Sequence, residues 1–408
     1  MKYGNYLFLV FCLMLAAVSV SAQTGEAAKH PSSKPDLKSE LLTDPKIATG
    51  ATHTNQASQI TSPYIKGTAR FLSMRGARTG AKPLSTTELV ASANQAGMPV
   101  WQGSFEVLGA KFPFAMIGTN PEQGSATSKI PVVIIPLSFS FANGTLLSAT
   151  QTACGDTASP LTRVTQSPLF QNTEFKAGNT VVGTGQYMDA FQRANFWTTV
   201  SEKAPGYHII LSPTVGPEAA IVTDPVTSRT APGPCGPIAA VDFSELDAQV
   251  QNLIFSLQIP SNTLPVFVSY NTFESEGGAC CVLGYHSMTS DRHPYVVAAY
   301  TDPNIFSLPI DDIHSLSHEL GEWLDDPFIR NFIPAWGNIG QEGNCSFSLE
   351  TGDPVTGTPF EVTMNGFTYH PEDLVFLPWF AREVPSTSVN GWYTFLNSFS
   401  SPQFICQP

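Results

Sequence analysis

Positive charge is scarce in this sequence: 20 Lys and Arg stand against 33 Asp and Glu, a formal charge of −13, with no basic cluster to reverse that field locally. Such a surface repels phosphate backbones, so nucleic acid is not an expected partner. Charge of either sign is thin, at 13% of residues where about 25% is usual, and the surface must be polar through hydroxyls and amides instead. Beyond the first 22 residues no stretch reaches the roughly 18 uninterrupted apolar residues of a spanning helix, so no membrane association is expected after the leader. No Cys-x-x-Cys pair is present, which removes the thiolate zinc knuckle from consideration. Internal repeats at solenoid periods are also lacking.

What is present begins with MKYGNYLFLVFCLMLAAVSVSA, a lone Lys2 followed by an apolar run and the small residues Val20-Ser21-Ala22. This reads as a secretory signal peptide, residues 1–22, cut after Ala22 and sending the chain to the extracellular space or periplasm. Residues 23–95 read as a flexible or propeptide-like arm, because from Gln23 to about Gln59 the composition is Ala, Lys, Ser, Thr and Pro with hardly a large apolar side chain. Residues 96–408 read as one large domain, for which 42% apolar and 11% aromatic residues are ample filling. Six cysteines outlast the leader: Cys154, Cys235, Cys280, Cys281, Cys345 and Cys406. An even number in an exported chain points to disulfides, with the neighbours Cys280 and Cys281 expected to bond elsewhere.

Periodicity gives the elements. TTELVASANQAG (86–97) has short-helix character, KFPFAMI (111–117) and IPVVIIPLSFSF (130–141) read as strands, and Asn143-Gly144 supplies a turn. A helix follows around Tyr187, Ala190, Phe191, Ala194 and Trp197, with Asp189 and Arg193 at ion-pair spacing. Ser244-Glu245-Leu246-Asp247 resembles a capping box for a helix burying Leu246, Val250, Leu253, Ile254 and Leu257. PVFVSY (265–270) and YVVAAY (295–300) are further strands. The fold class expected is α+β, a mixed sheet with flanking helices and a zincin-like active-site helix.

That helix is DDIHSLSHELGEWLDDP, residues 311–327, with an aspartate suited to its N-cap and Pro327 ending it. At about 100° per residue, Ile313, Leu316, Leu320, Trp323 and Leu324 share one arc, and His314, His318, Glu319, Glu322, Asp325 and Asp326 occupy the other. His318 and Glu322, four apart, point the same way and can offer a nitrogen and an oxygen to one ion. Glu319, a quarter-turn round, is placed as the catalytic base, as in His-Glu-x-x-His proteases. Glutamate in place of the second histidine adds negative charge and hardens the ligand set, with zinc the leading metal. A third ligand must come from elsewhere: Glu350 is the first choice, ahead of Asp353, His286 and His314. The competing reading of this helix is a solvated acidic surface. Tyr369, after the Asn365-Gly366 turn, is a candidate oxyanion partner or simply a core tyrosine.

SHELGEWLDDP (317–327), AWG (335–337), LETGDP (349–354) and the upstream CCVLGYHS (280–287) together resemble the Exordium-type, phosphate-induced extracellular proteins of plants and their bacterial relatives. The likeness spans roughly residues 130–370, with the blocks in the same order. It implies an extracellular domain in which His318 and Glu322 match ligand-type positions, Glu319 the base, and Glu350 and Asp353 an acidic pair. The Asp325-Asp326 pair, His314 and the adjacent cysteines depart from that pattern. The expected function is a secreted zinc-dependent hydrolase, metallopeptidase-like, acting on a polypeptide or another extracellular polymer. The alternative is a non-catalytic module binding a wall polymer or partner, with a structural metal or none.

Overall fold

Thr127–Ser140 is the longest strand and the axis of the main sheet. Its first half alternates between exposed and buried residues, and its second half is almost continuously buried, as a strand covered on both faces should be. The computed structural model describes residues 67–71, 88, 91 and 97–406, all within one compact unit spanning residues 49–408. The leader, the stretch from Gln23 to about Gln59 and nearly all of the helical expectation at 86–97 lie outside the described residues.

Leu264–Tyr270 runs parallel to Thr127–Ser140, and Pro294–Tyr300 runs parallel to Leu264–Tyr270. Both are fully buried, as their unbroken Val, Ala, Phe and Tyr runs require. Gly284–Met288 closes this side as an antiparallel edge. On the other side Thr127–Ser140 pairs in parallel with His208–Val215 and Ala219–Val222. A second, five-stranded sheet contains, from one edge to the other, Gly67–Arg70, Ala279–Val282, Thr272–Glu276, Pro237–Asp242 and Arg229–Pro232. Helices and several two-stranded hairpins complete a mixed α+β architecture. Among the described residues no helix is long and apolar enough to cross a membrane.

The helix that carries the chemistry, His314–Asp325, lies against Pro294–Tyr300 and the edge strand Gly284–Met288. Ile313, Leu316, Leu320, Trp323 and Leu324 enter the main core, as the periodicity requires. Its polar face is buried as well: all twelve residues of the helix are shielded from solvent. An acidic surface helix is therefore ruled out. Proximity to the site follows from the edge strand running antiparallel beside the helix, which sets His286 next to it.

Local signals were overruled at four points by tertiary partners. Ile313, not an aspartate, occupies the N-cap of the site helix, without a side-chain cap. Asp312 instead accepts from the His370 backbone N–H at 3.0 Å and engages its ring Nδ1 at 2.6 Å. Asp242 rather than Ser244 caps Phe243–Ser256, accepting from Ser244 N and Glu245 N at 2.9 and 3.2 Å. Asp189 and Arg193 lie on the helix Tyr187–Asn195, which breaks before Trp197–Glu202, and they do not bond to each other. Both are buried, so each must find a fixed partner: Asp189 binds His208 Nδ1 at 2.9 Å and Ile209 N at 2.8 Å. Arg193 donates to the carbonyls of Val182, Pro205 and Tyr207.

Cysteine pairing is the fourth. Cys280 and Cys281 are joined to each other, with a cis peptide between them and Cα atoms 3.1 Å apart, so their sulfurs face one another. Cys154–Cys235 and Cys345–Cys406 close loops with separations of 81 and 61 residues. In the chain-entropy account each of these long loops stabilises the fold by about 4 kcal/mol. Three bridges fit an oxidising compartment.

Glu274, on Thr272–Glu276, is wholly buried, and that burial, reinforced by the charge of Asp247, lifts its carboxyl from 4.5 to about 8. The folded chain therefore holds a proton that the unfolded chain releases above pH 4.5. This contribution is complete below that pH and is lost as pH rises towards 8, at up to about 1.4 kcal/mol per pH unit. Glu274→Gln should flatten the fall in denaturant midpoint between pH 6 and 8. Parallel pH profiles for the variant and the native protein would contradict this assignment.

Candidate metal centre

His318 and Glu322 leave the site helix one turn apart, on the same side. His318 Nε2 stands 3.1 Å from Glu322 Oε1 and 3.5 Å from Asp353 Oδ1, and donors of the three residues lie within 4.8 Å of one another. Despite this crowding, His318 Nε2 and Asp353 Oδ2 make no hydrogen bond. A nitrogen and two carboxylate oxygens gathered this closely form a donor set of the kind that could hold a metal ion.

Glu372 prepares the imidazole for that role. Its Oε2 is hydrogen-bonded to His318 Nδ1, which places a proton on Nδ1 and turns Nε2 towards Glu322 and Asp353. The other oxygen of Glu372 lies 3.0 Å from His314 Nε2 and accepts from Gly357 N at 2.7 Å. Ser317 Oγ accepts from Glu372 N at 2.8 Å, clamping this loop to the helix. Glu322 Oε1 in turn accepts the backbone N–H groups of Gly352 and Asp353, both at 3.2 Å.

His286 stands on the other flank. Its Nδ1 is 3.3 Å from Glu319 Oε2 and 3.5 Å from Glu322 Oε2, and its Nε2 is 3.9 Å from Glu350 Oε2. Glu319 Oε1 and both Glu350 oxygens are buried without a hydrogen bond. Burial pushes the His286 imidazole down to about 4, so it is neutral near pH 7. Burial also drives the carboxyls of Glu319, Glu350 and Asp353 well above the usual range, with the charge of Glu322 adding to each. For Glu322 itself burial is outweighed by the charge of His318, and its carboxyl is held low. Burial opposes charge on His318 too, but Glu322 and Glu372 overcome it and hold the imidazole well above its ordinary value. No lysine or arginine is paired with any of these carboxylates among the described residues.

His318, Glu319, Glu322 and Glu350 thus lie in one buried cluster. Asp353, however, is the residue that closes on His318 and Glu322, while Glu350 faces His286. His314 sits one layer back on Glu372. Asp325 is bonded to Gln192, and Asp326 caps the following turn through Arg330 N and Asn331 N at 2.8 and 3.0 Å. Tyr369 is a buried member of the main core. Sequence reasoning missed Glu372, which stands in no motif and more than fifty residues from His318. It also missed Gln341 and Phe71, whose ring lies 3.7 Å from the His318 imidazole, centroid to centroid, and 18° from parallel.

No protein-family model, curated protein or solved structure matches this chain. The site must be read from its own geometry.

Gly352 marks how tightly that geometry is built. A Cβ there would fall 2.3 Å from His318 Nδ1, so any side chain displaces the ring. Gly352→Ala should destabilise the fold by about 1–3 kcal/mol and weaken whatever His318 holds. Native-like stability in chemical denaturation would show that His318 is not pinned there.

Proposed function

We propose that this protein is an exported, metal-dependent hydrolase of polypeptides, with His318, Glu322 and Asp353 as ligands of a single divalent cation, zinc first, and Glu319 as general base. The observation that carries the reading is the buried trio His318, Glu322 and Asp353, whose donor atoms lie within 4.8 Å of one another with no lysine or arginine paired to the two carboxylates among the described residues. Three protein ligands leave a coordination position open, the arrangement of catalytic rather than closed structural zinc. When bound, the ion would supply Lewis acidity to a scissile carbonyl and to water.

The remaining work falls to the chain. Glu372 keeps His318 in the tautomer that presents Nε2. Glu319 has Oε2 engaged by His286 Nδ1 and Oε1 without a partner. That free oxygen receives the proton of the attacking water and then passes it to the leaving nitrogen. Its carboxyl is raised by burial and by Glu322, and a cation beside it would act in the opposite direction. His286 orients it. The Exordium-type likeness expected from the sequence, which no comparison tests, would imply export and these roles for His318, Glu319 and Glu322. It gives Asp353 and Glu350 equal standing, and distance favours Asp353.

A second reading, a non-catalytic extracellular binding module with a structural ion, is favoured by one observation: the trio is almost wholly shielded, at 0–1% exposure. Elemental analysis joined to an activity assay separates the two. The native protein should hold about one zinc per chain, His318→Ala, Glu322→Ala and Asp353→Ala should lose it, and Glu350→Ala should keep it. Glu319→Gln should retain metal while hydrolysis of an unfolded protein substrate falls about 10²–10⁴-fold. Undiminished hydrolysis in that variant sinks the mechanism; bound metal with no hydrolysis in the native chain, even after the arm is removed, favours the binding module.

A further inference from the structure

Gly-Thr-Ala-Arg-Phe at 67–71 runs along Ala279–Val282 and ends with the Phe71 ring over His318. Gly67–Arg70 is an edge strand, paired on one side only, parallel to Ala279–Val282 with Gly67 opposite Cys280 and Arg70 opposite Val282. Leu283 N donates to Arg70 O at 2.9 Å. The Arg70 guanidinium reaches Glu276 at 3.2 Å. The Gln341 side-chain amide then grips the backbone of Phe71 on both sides, accepting from Phe71 N at 2.7 Å and donating to Phe71 O at 2.9 Å. The same amide nitrogen also donates to Asp353 Oδ1. Phe71 is 2% exposed, and its ring is stacked on His318.

Most of these contacts do not depend on which sequence lies there. Main-chain hydrogen bonds to a sheet edge accept any extended polypeptide, and selectivity comes from where its side chains land. Here a basic side chain meets Glu276, and an aromatic ring fills the space over the imidazole. An edge strand can leave without breaking the pairing of the strands behind it.

We propose that the groove between Ala279–Val282 and Gln341 is a binding site for an extended polypeptide segment with a basic residue followed by an aromatic one, and that residues 67–71 occupy it as a tethered mimic. The proposal rests on the hydrolase reading and gives that reading its substrate class. In the intact chain the aromatic side chain of Phe71 covers His318 and excludes substrate. Cleavage between Phe71 and Gly97, where the sequence offers Arg75, Arg78 and Lys82, uncouples the segment from the domain and lets a substrate compete for the groove.

The test uses a fluorescein-labelled peptide, Gly-Thr-Ala-Arg-Phe-Leu-Ser, and its version with alanine in place of phenylalanine, followed by anisotropy, a readout that requires neither bound metal nor hydrolysis. Intact native protein should bind the peptide weakly. Phe71→Ala in the full chain, and native protein cut by trypsin in the 72–96 stretch and freed of its arm, should bind it at least tenfold more tightly. The alanine peptide should bind at least tenfold more weakly than its parent. The trypsin-cut native protein carries no substitution, so it decides the matter if Phe71→Ala does not fold. Equal binding by intact and opened protein, or binding by none, overturns the proposal. Peptide binding without metal in elemental analysis would leave the groove standing and remove the hydrolase reading, so the two fail separately.

Discussion

Burying carboxylates without basic partners is the constraint on which the rest of this structure depends. Glu319, Glu322, Glu350, Asp353 and Glu372 are all 0–1% exposed, and three histidines are the groups set among them. An uncompensated ion in such surroundings costs several kcal/mol, so the cluster persists only through shared protons, aligned backbone N–H groups, or a cation. The first two are visible at Glu372 and Glu322. The donors left without partners at His318, Asp353 and Glu350 are where the proposed cation would sit.

Backbone geometry delivers these groups from four places. The parallel strands Thr127–Ser140, Leu264–Tyr270 and Pro294–Tyr300 form a floor too apolar to bear charge. The antiparallel edge strand Gly284–Met288 brings His286 to the margin of that floor, and the site helix crosses it with His318, Glu319 and Glu322 turned away from the core. The loop at 349–353 adds Glu350 and Asp353, and the segment at 372 adds the carboxylate that orients His318. Small residues permit the approach: a Cβ on Gly284 would lie 2.9 Å from Glu319 Cγ, and one on Gly352 would strike His318. Side-chain volume is thus excluded at the two points where strand and loop press on the helix.

A centre so enclosed does chemistry only if something moves, and the cover has one component that is separable in sequence. Phe71 belongs to a segment read as part of an arm, yet it is packed against the imidazole and held through its backbone by Gln341. Under the proposed reading, latency and substrate recognition would share one geometry, because the segment that fills the groove would have the shape of what the groove admits.

Much of the fold could be read from periodicity: Lys111–Ile117, Ile130–Phe141, Pro265–Tyr270 and Tyr295–Tyr300 all fall within or overlap strands, because burial on a sheet imposes its pattern locally. The site helix, its apolar arc and the His318, Glu319 and Glu322 constellation were equally legible, since residues four apart must share a face. Caps and ion pairs were not. Asp312 and the Asp189–Arg193 pair each carried a local signal that a distant partner overruled, Ser244 yielded its cap to Asp242 two residues before it, and Cys280 paired with its own neighbour. Only tertiary structure brought Asp353 rather than Glu350 beside His318 and Glu322, added Glu372 and laid Phe71 over His318, because those placements depend on where segments remote in sequence come to rest, and no spacing along the chain encodes that distance.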